Sequence, residues 1–294
     1  MKKYISCFIL ALILFLLALA GFYFYILKPR IDNSANKARI TEKIKNLVTN
    51  ETDFTFAVAS DSGRQNDDLN KIYKQIVEKV NKSNAKFFIH LGDFTQNGTD
   101  AEFQEFKNYM AKNLNIAYYI VPGNHDILAD EQDKSVFLNY YKDLYQSFDY
   151  EKNHFVILDN SWNLEGFSDE QLNWLKQDLA TNKFPAFIFM HRPTKIPFED
   201  VFDINDGGTK QTFASYDKFY EIINEPKNNV KEVYSGHLHM YFPFNLLSIT
   251  MTIVGSAGSL PQYDFMKNDD SYYHYFEVNT KGKDHANRMI EIAE

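Results

Sequence analysis

The sequence has a single cysteine, Cys7, among its 294 residues. A disulfide within the chain and a zinc site built on cysteines are therefore both excluded. Glycine and proline are also scarce, with 12 and 8 residues, which excludes a collagen-like or low-complexity chain. Hydrophobic residues make up 45% of the sequence, and this is too much for a disordered protein. These absences favour a globular fold.

Positive charge is scarce beyond the amino-terminal segment. Residues 1–49 contain eight Lys or Arg and two Asp or Glu, a net charge of +6. Residues 50–294 contain 23 Lys or Arg and 37 Asp or Glu, a net charge of −14. An acidic body repels polyanions, so we expect no nucleic acid among its partners. A small phosphorylated substrate held by metal ions remains compatible with this composition.

One long uncharged run lies near the amino terminus, at residues 4–27. A helix of this length spans about 36 Å at about 1.5 Å per residue, enough to cross a hydrocarbon core of about 30 Å. We expect residues 1–27 to be a membrane anchor. A cleavable signal peptide is the alternative, because Ala18-Leu19-Ala20 resembles a cleavage site, although the apolar run continues past it.

Residues 28–52 are polar and predict a tether, after which residues 53–294 form one domain. The orientation of the anchor has two interpretations. Counting positive charges on the two sides of the run places the domain in the cytoplasm. A Met-Lys-Lys start followed at once by the apolar run is typical of an export signal. We expect a single-pass membrane protein with its domain outside the cytoplasm, and keep a secreted or cytoplasmic domain as alternatives.

Within the domain, short apolar runs alternate with segments of helical spacing. Strands are predicted at residues 54–59, 87–91, 116–121, 155–158, 186–190, 231–234, 249–254 and 272–278. Helices are predicted at residues 69–80, 101–110, 136–145, 168–179 and 213–223. Ser168 and Gln171 have the spacing of a capping box at the start of the fourth helix. This alternation predicts an α/β domain with a mostly parallel sheet.

Polar side chains follow the carboxyl ends of five predicted strands. They are Asp61, Asp93, the pair Asn124 and His125, His191, and the pair His237 and His239. Because ligands of α/β sheets bind outside these strand ends, we expect the side chains to share one rim. A single histidine or Gly-Asp pair at a strand end is commonly structural, whereas the ordered set predicts a metal site. Oxygen and imidazole donors without thiolate favour Mn, Fe or Zn.

Local features of these motifs indicate how each would work. Gly92 permits a sharp turn that directs Asp93 into the crevice, where one carboxylate can bridge two cations. Asn124 can ligate through its carbonyl oxygen, and Asp126 is expected to fix the tautomer of the neighbouring His125. In Gly236-His237-Leu238-His239, a turn is expected to bring both imidazole rings to the site.

This series of motifs resembles the calcineurin-like metallophosphoesterase superfamily over residues 54–279. The resemblance implies a four-layer αββα sandwich, here preceded by the predicted transmembrane helix. It also implies a dinuclear metal site and hydrolysis of a phosphate ester by a hydroxide that bridges the two ions. One ion would be held by Asp61, Asp93 and His239, and the other by Asp93, Asn124, His191 and His237, with His125 near the leaving group.

The first motif departs from the family pattern Asp-x-His, because Gly63 stands where the histidine is expected. Purple acid phosphatases are similar in having Asp-x-Gly, but they supply a tyrosine where this chain has Gln96. The Asp-Ser-Gly form resembles a bacterial branch of membrane-attached or exported phosphoesterases. We therefore expect the ion at Asp61 to be bound more weakly than the other, with Ser62, Gln65 or water filling the gap.

Two arginines, Arg64 and Arg192, adjoin the motifs and are candidate phosphate contacts, although a plain surface charge is the commoner role of arginine. Two other functions stay open. The missing histidine is compatible with a catalytically weak, membrane-tethered protein that binds phosphoryl ligands. A nuclease is the third interpretation, and the acidic body without a basic stripe argues against it.

Removing residues 1–27 should leave a soluble domain. The composition changes at Lys28, and the remaining sequence has no second apolar run of about 18 residues. Fractionation of cells that express residues 1–294 or 28–294 checks this expectation. A shortened chain that partitions into membranes as strongly as the full chain would contradict a single anchor.

Overall fold

Strand β1 (Phe54–Ala59) is buried on both of its faces. Phe54, Phe56 and Val58 belong to one apolar cluster, whereas the alternating Ala57 and Ala59 belong to another. A strand that is covered on both faces lies inside a layered structure. The computed structural model describes residues 53–63, 69–127, 133–195, 208–259, 273–282 and 284–293.

The remaining elements follow β1 in chain order. They are α1 (Leu69–Lys82), β2 (Ala85–His90), α2 (Asp100–Asn113), β3 (Ala117–Ile120), α3 (Ser135–Tyr141), β4 (Gln146–Tyr150), β5 (Asn153–Ile157), α4 (Asp169–Thr181), β6 (Ala186–Phe189), α5 (Lys210–Ile223), β7 (Val230–Ser235), β8 (Phe242–Leu246), β9 (Ile249–Ile253), β10 (His274–Lys281) and β11 (Asp284–Glu291). Two single 3-10 turns, Asn124–Asp126 and Pro226–Asn228, lie between them.

These strands form two mixed sheets. The first has the order β11-β10-β1-β2-β3, and the second has the order β4-β5-β6-β7-β9-β8. Strands β1, β2 and β3 are parallel, as are β5, β6, β7 and β9, whereas the strands toward the edges pair in antiparallel fashion. The parallel strands place their carboxyl ends along one rim of each sheet.

Three apolar clusters define four layers. Phenylalanine-rich inner faces of the two sheets pack against each other, with Phe56 and Phe155 in edge-to-face contact at 5.2 Å. Helices α1 and α2 cover the outer face of the first sheet. Helices α4 and α5 cover the outer face of the second. The αββα layering expected from the family resemblance is thus the layering of the described residues.

Three strands, β4, β8 and β11, are not predicted by the sequence pattern. The expected mostly parallel sheet is instead two mixed sheets, in which five of the nine pairings between the described strands are parallel and four are antiparallel. All three are edge strands paired on one side only. Their sequences are short or polar, and β8 contains Pro243, which an edge position tolerates because it needs no second ladder of hydrogen bonds. The alternation of apolar and polar residues is weak in such strands, so it does not predict them.

Two other expectations need comment. The Ser168 hydroxyl accepts the N–H of Gln171, but the Gln171 side chain bonds to Asp159 instead of completing a capping box. The predicted anchor and tether, together with Arg64 and Gln65, lie outside the described residues. None of the helices within the described ranges is both long enough and apolar enough to cross a membrane.

His154 on β5 links three elements of the second sheet. Its Nδ1 lies 2.6 Å from Oδ1 of Asp149 on β4, and its Nε2 lies 2.7 Å from Oδ2 of Asp178 on α4. Burial opposes a charge on this ring, but the hydrogen bonds and charges of the two carboxylates outweigh burial and raise the pKa of His154. The doubly protonated imidazolium satisfies both partners at once.

This histidine should make stability depend on pH. Since the folded-state pKa is raised, its contribution is complete below the unfolded value of about 6.5 and is lost as pH rises through the folded value. His154→Asn should therefore cost about 1 kcal/mol more at pH 5.5 than at pH 9, a modest difference because Asp149 is largely exposed. Urea unfolding of both proteins at the two pH values measures it, and equal costs would contradict the ion-pair account.

Candidate metal centre

Four of the predicted ligands have left-handed backbone conformations. The φ angles are 59° at Asp61, 54° at Asp93, 71° at His237 and 48° at His239. Residues other than glycine rarely adopt this backbone region, and backbone strain of this kind is concentrated at functional sites. Each of these residues follows a strand end, so the strained turns direct side chains from both sheets into the same crevice.

Three buried residues, Asp93, His191 and His237, each present one ligand atom within 4.8 Å of the others. The Nδ1 of His191 lies 2.7 Å from the carbonyl oxygen of Leu91, to which it donates. The Nε2 lone pair then faces Oδ1 of Asn124 at 2.9 Å and Oδ2 of Asp93 at 3.2 Å. Three acceptor atoms converge here, and such a group is stable only around a cation or a proton.

The electrostatics of this cluster favour positive charge. Burial opposes protonation of His191, but the charges of Asp93 and Asp61 raise its pKa to about 9. Burial likewise opposes ionisation of Asp93, but the imidazoles around it, His191 foremost, hold its pKa well below the ordinary value. A divalent cation would take the place of that proton. The donor set therefore fits a metal ion of the borderline class.

Asp61 and His239 form the other part of the rim. The Nε2 of His239 lies 3.5 Å from Oδ1 of Asp61. Burial opposes ionisation of Asp61, but the hydrogen bond and charge of His239 lower its pKa. The carboxylate also accepts the backbone N–H of His237, with Oδ2 at 3.0 Å. The turn after Gly236 thus brings both histidines of the last motif toward Asp61.

Gly63 occupies a position where no side chain fits. A Cβ atom there would lie 2.5 Å from the carbonyl oxygen of Thr95 and 2.9 Å from that of Asp93. The Gly63 N–H donates to the same Asp93 oxygen at 2.6 Å. The backbone therefore excludes an imidazole at this point. Ser62, one of the expected replacements, has its hydroxyl 2.7 Å from Nε2 of His90 instead.

His90, the last residue of β2, connects the first two motifs. Its Nδ1 accepts the N–H of Gly92 at 3.2 Å, so its Nε2 carries the proton and donates to Ser62. Burial lowers the pKa of His90 to about 4 and keeps it neutral. A histidine that ends a strand two residues before Gly92-Asp93 is the sequence signal for this role.

The expected partnership between Asp126 and His125 is not what the structure shows. The buried Asp126 carboxylate accepts five hydrogen bonds, from the N–H groups of Asp93, Phe94, Thr95 and Gly123 and from the Thr95 hydroxyl, at 2.7–3.1 Å. The His125 ring is exposed, and its Nδ1 lies 2.9 Å from the carbonyl oxygen of Gln96. The 3-10 turn directs the two side chains apart, so Gln96 orients the ring.

Arg192 is a buried residue of the site, and the alternative of a plain surface charge is wrong. Its Nε donates to the carbonyl oxygen of Ser161 at 3.1 Å, and its Nη1 lies 3.1 Å from Nε2 of His237. The guanidinium is therefore next to one of the candidate ligands. Arg64, the other candidate phosphate contact, lies outside the described residues.

A two-sheet fold with this rim is found in a known class of proteins. The sequence model of the calcineurin-like phosphoesterase family matches residues 54–241, and the chain belongs to this family. A probable glycerophosphodiester phosphodiesterase, GpdQ, of Arcobacter nitrofigilis is 30% identical over 154 residues, which are 46% of this chain and 52% of the relative. The chain thus spans about half the length of the curated relative that it matches.

Two solved structures share the fold. A purple acid phosphatase from yellow lupin (Lupinus luteus) superposes with a TM-score of 0.62 at 13% identity, covering 83% of this chain and 52% of the lupin chain. A dimetal phosphatase from Danio rerio superposes with a TM-score of 0.57 at 13% identity, covering 81% and 98% of the two chains. At this identity the likeness establishes the fold alone.

The different surroundings of Asp126 and His125 predict different effects of substitution. Asp126→Asn turns an amide N–H₂ toward backbone N–H donors, so we expect a loss of about 3 kcal/mol of stability together with weaker metal binding. His125→Ala removes an exposed ring and should change stability by less than about 0.5 kcal/mol. Urea unfolding and calorimetric metal titration measure both effects. Equal stability losses would contradict these assignments.

Proposed function

We propose that the domain hydrolyses phosphate esters with the help of two divalent cations. The observation that carries this proposal is the convergence of Asp93, Asn124 and His191 on one point, with acceptor atoms only. Family membership supports the same chemistry. Bound Mn, Fe or Zn would act as a Lewis acid and would lower the pKa of water to near neutrality.

The ligands are assigned to two unequal sites. Asp93, Asn124, His191 and His237 would hold the first ion, and Asp61, Asp93 and His239 would hold the second. The second set has the imidazole of His239 but lacks the histidine of the family's first motif, because the backbone at Gly63 leaves no room for a side chain. Imidazole contributes strongly to the affinity for these metals, so the second ion would be the weaker one.

Two further side chains would act on the substrate itself. His125 is exposed beside the crevice, and the Gln96 carbonyl fixes the proton on its Nδ1. Its Nε2 would carry the proton that is delivered to the leaving oxygen. Arg192 would donate N–H groups to a phosphoryl oxygen, since its guanidinium already borders His237.

A small phosphodiester is the substrate class that the comparisons favour, because the curated relative is described as a glycerophosphodiester phosphodiesterase. A catalytically weak ligand-binding protein is the second candidate, and the closed space at Gly63 is the observation that favours it. We further propose that residues 4–27 attach the domain to a membrane, with the domain outside the cytoplasm.

Metal titration and ester hydrolysis test the proposal together. Stripped protein should bind one equivalent of Mn²⁺ tightly and a second weakly, and should hydrolyse an aryl phosphodiester only with metal present. His191→Ala should abolish the tight equivalent, and His239→Ala only the weak one. Asp93→Asn should weaken both equivalents and lower turnover by orders of magnitude, because it removes the shared negative ligand.

Asp284→Asn is the matched control, since it removes an exposed carboxylate from β11, outside the rim. It should change neither metal affinity nor turnover. Full hydrolysis by chelator-stripped protein would refute the metal mechanism. Metal binding without any hydrolysis of mono- or diesters would favour the ligand-binding alternative, and two equivalents of equal affinity would refute the inequality of the sites.

A further inference from the structure

Backbone hydrogen bonding between β5 and β6 stops before His191, the candidate metal ligand that follows β6. The last such bond runs from the N–H of Leu158 to the carbonyl oxygen of Phe189 at 2.9 Å. Among the described residues no backbone hydrogen bond between the two segments follows it, so His191, two residues after Phe189, has no backbone partner on this side. Backbone N–H and carbonyl groups in such a buried position need other partners.

The side chain of Asn160 continues the pairing where the backbone ends it. Its Oδ1 accepts the N–H groups of His191 at 3.1 Å and Arg192 at 3.0 Å. Its Nδ2 donates to the carbonyl oxygen of Arg192 at 2.7 Å. Asn160 is fully buried. One carboxamide thereby satisfies three backbone groups of the two residues that border the metal site.

His191 is consequently fixed from three directions. Asn160 holds its N–H, the N–H of Gly236 donates to its carbonyl oxygen at 2.8 Å, and its ring donates to Leu91. Asn160 is the side-chain member of this set, and the other two partners are backbone groups. A substitution at this position can therefore release His191 without touching the metal ligands themselves.

The turn that carries Asn160 is itself anchored to helix α4. The Gln171 side chain accepts the N–H of Asp159 and donates to its carbonyl oxygen, both at 2.7 Å. The Asp159 carboxylate accepts the N–H and hydroxyl of Ser161 and the ammonium of Lys134. The Ser161 carbonyl in turn receives the guanidinium of Arg192. These contacts fix the turn at residues 159–161, which carries Asn160.

We propose that Asn160 is a positioning residue, which holds His191 and Arg192 in the geometry that binds metal and phosphoryl oxygen. The inference rests on the proposed function, because it assigns His191 as a metal ligand. Partners that orient metal ligands from behind affect metal affinity as well as activity, typically by 10- to 100-fold. The carboxamide itself is occupied by backbone groups and ligates nothing.

Asn160→Ala tests this role, with Asn228→Ala as the matched control. Asn228 is also buried, and its Nδ2 donates to the carbonyl oxygen of Ile222 at 2.7 Å, at the opposite end of β7. Both variants should unfold at lower temperature than the parent. Only Asn160→Ala should weaken the first Mn²⁺ equivalent, by about 10- to 100-fold in competition with a chelator.

An affinity of Asn160→Ala equal to that of the parent would overturn the inference and leave Asn160 a structural residue. If Asn160→Ala does not fold, Asn160→Asp replaces it, because aspartate keeps both accepted bonds and sets a carboxylate oxygen against the Arg192 carbonyl oxygen in place of the donated one. A smaller but measurable loss of affinity is then expected, and no loss would again overturn the proposal.

The measurement separates this inference from the proposed function. Mn²⁺ binding without ester hydrolysis would refute the proposed function and leave the role of Asn160 to be decided by the affinities. If the parent binds no Mn²⁺, the proposed function fails, and the imidazole ¹⁵N shifts of His191 decide instead. Asn160→Ala should shift the Nδ1 resonance of His191, because a released ring loses its fixed hydrogen bond to the Leu91 carbonyl, and unchanged shifts would overturn the positioning role.

Discussion

The carboxylate of Asp126 is the group on which the rest of the rim depends. Its five donors come from the turn that carries Asp93 and from Gly123 at the start of the next motif. One buried side chain thus holds two strand-end turns together. Burial and the charge of Asp93 raise the pKa of Asp126 to about 7. A cation bound beside Asp93 would offset the charge of Asp93 and so lower the pKa of Asp126.

The same device recurs at the other turns, where buried polar side chains bond to backbone groups. His90 holds Gly92, and Asn160 holds His191 and its neighbour. Left-handed residues such as Asp93 and His237 cost about 1–3 kcal/mol each. Their conformations persist because these bonds and the aromatic core between the sheets fix the surrounding chain.

Much of this arrangement follows from the sequence, and the part that does not has physical causes. Strand β1 is predicted with its observed bounds, because both of its faces are apolar. Edge strands such as β11 are not predicted, because they pair with one neighbouring strand only and many of their residues are polar. The hydrogen bonds between Asp126 and the turn of Asp93 cannot be predicted from the sequence either, since sequence spacing does not show how a 3-10 turn directs successive side chains.

The proposed inequality of the two metal sites would have its origin in the same carboxylate. Asp126 bonds to both the N–H and the hydroxyl of Thr95. Thr95 held in this way places its carbonyl oxygen where a Cβ of residue 63 would lie. The contact that shapes the turn of Asp93 therefore also excludes an imidazole from the first motif. A histidine at position 63 would require the Thr95 backbone to move, and with it the turn that carries Asp93.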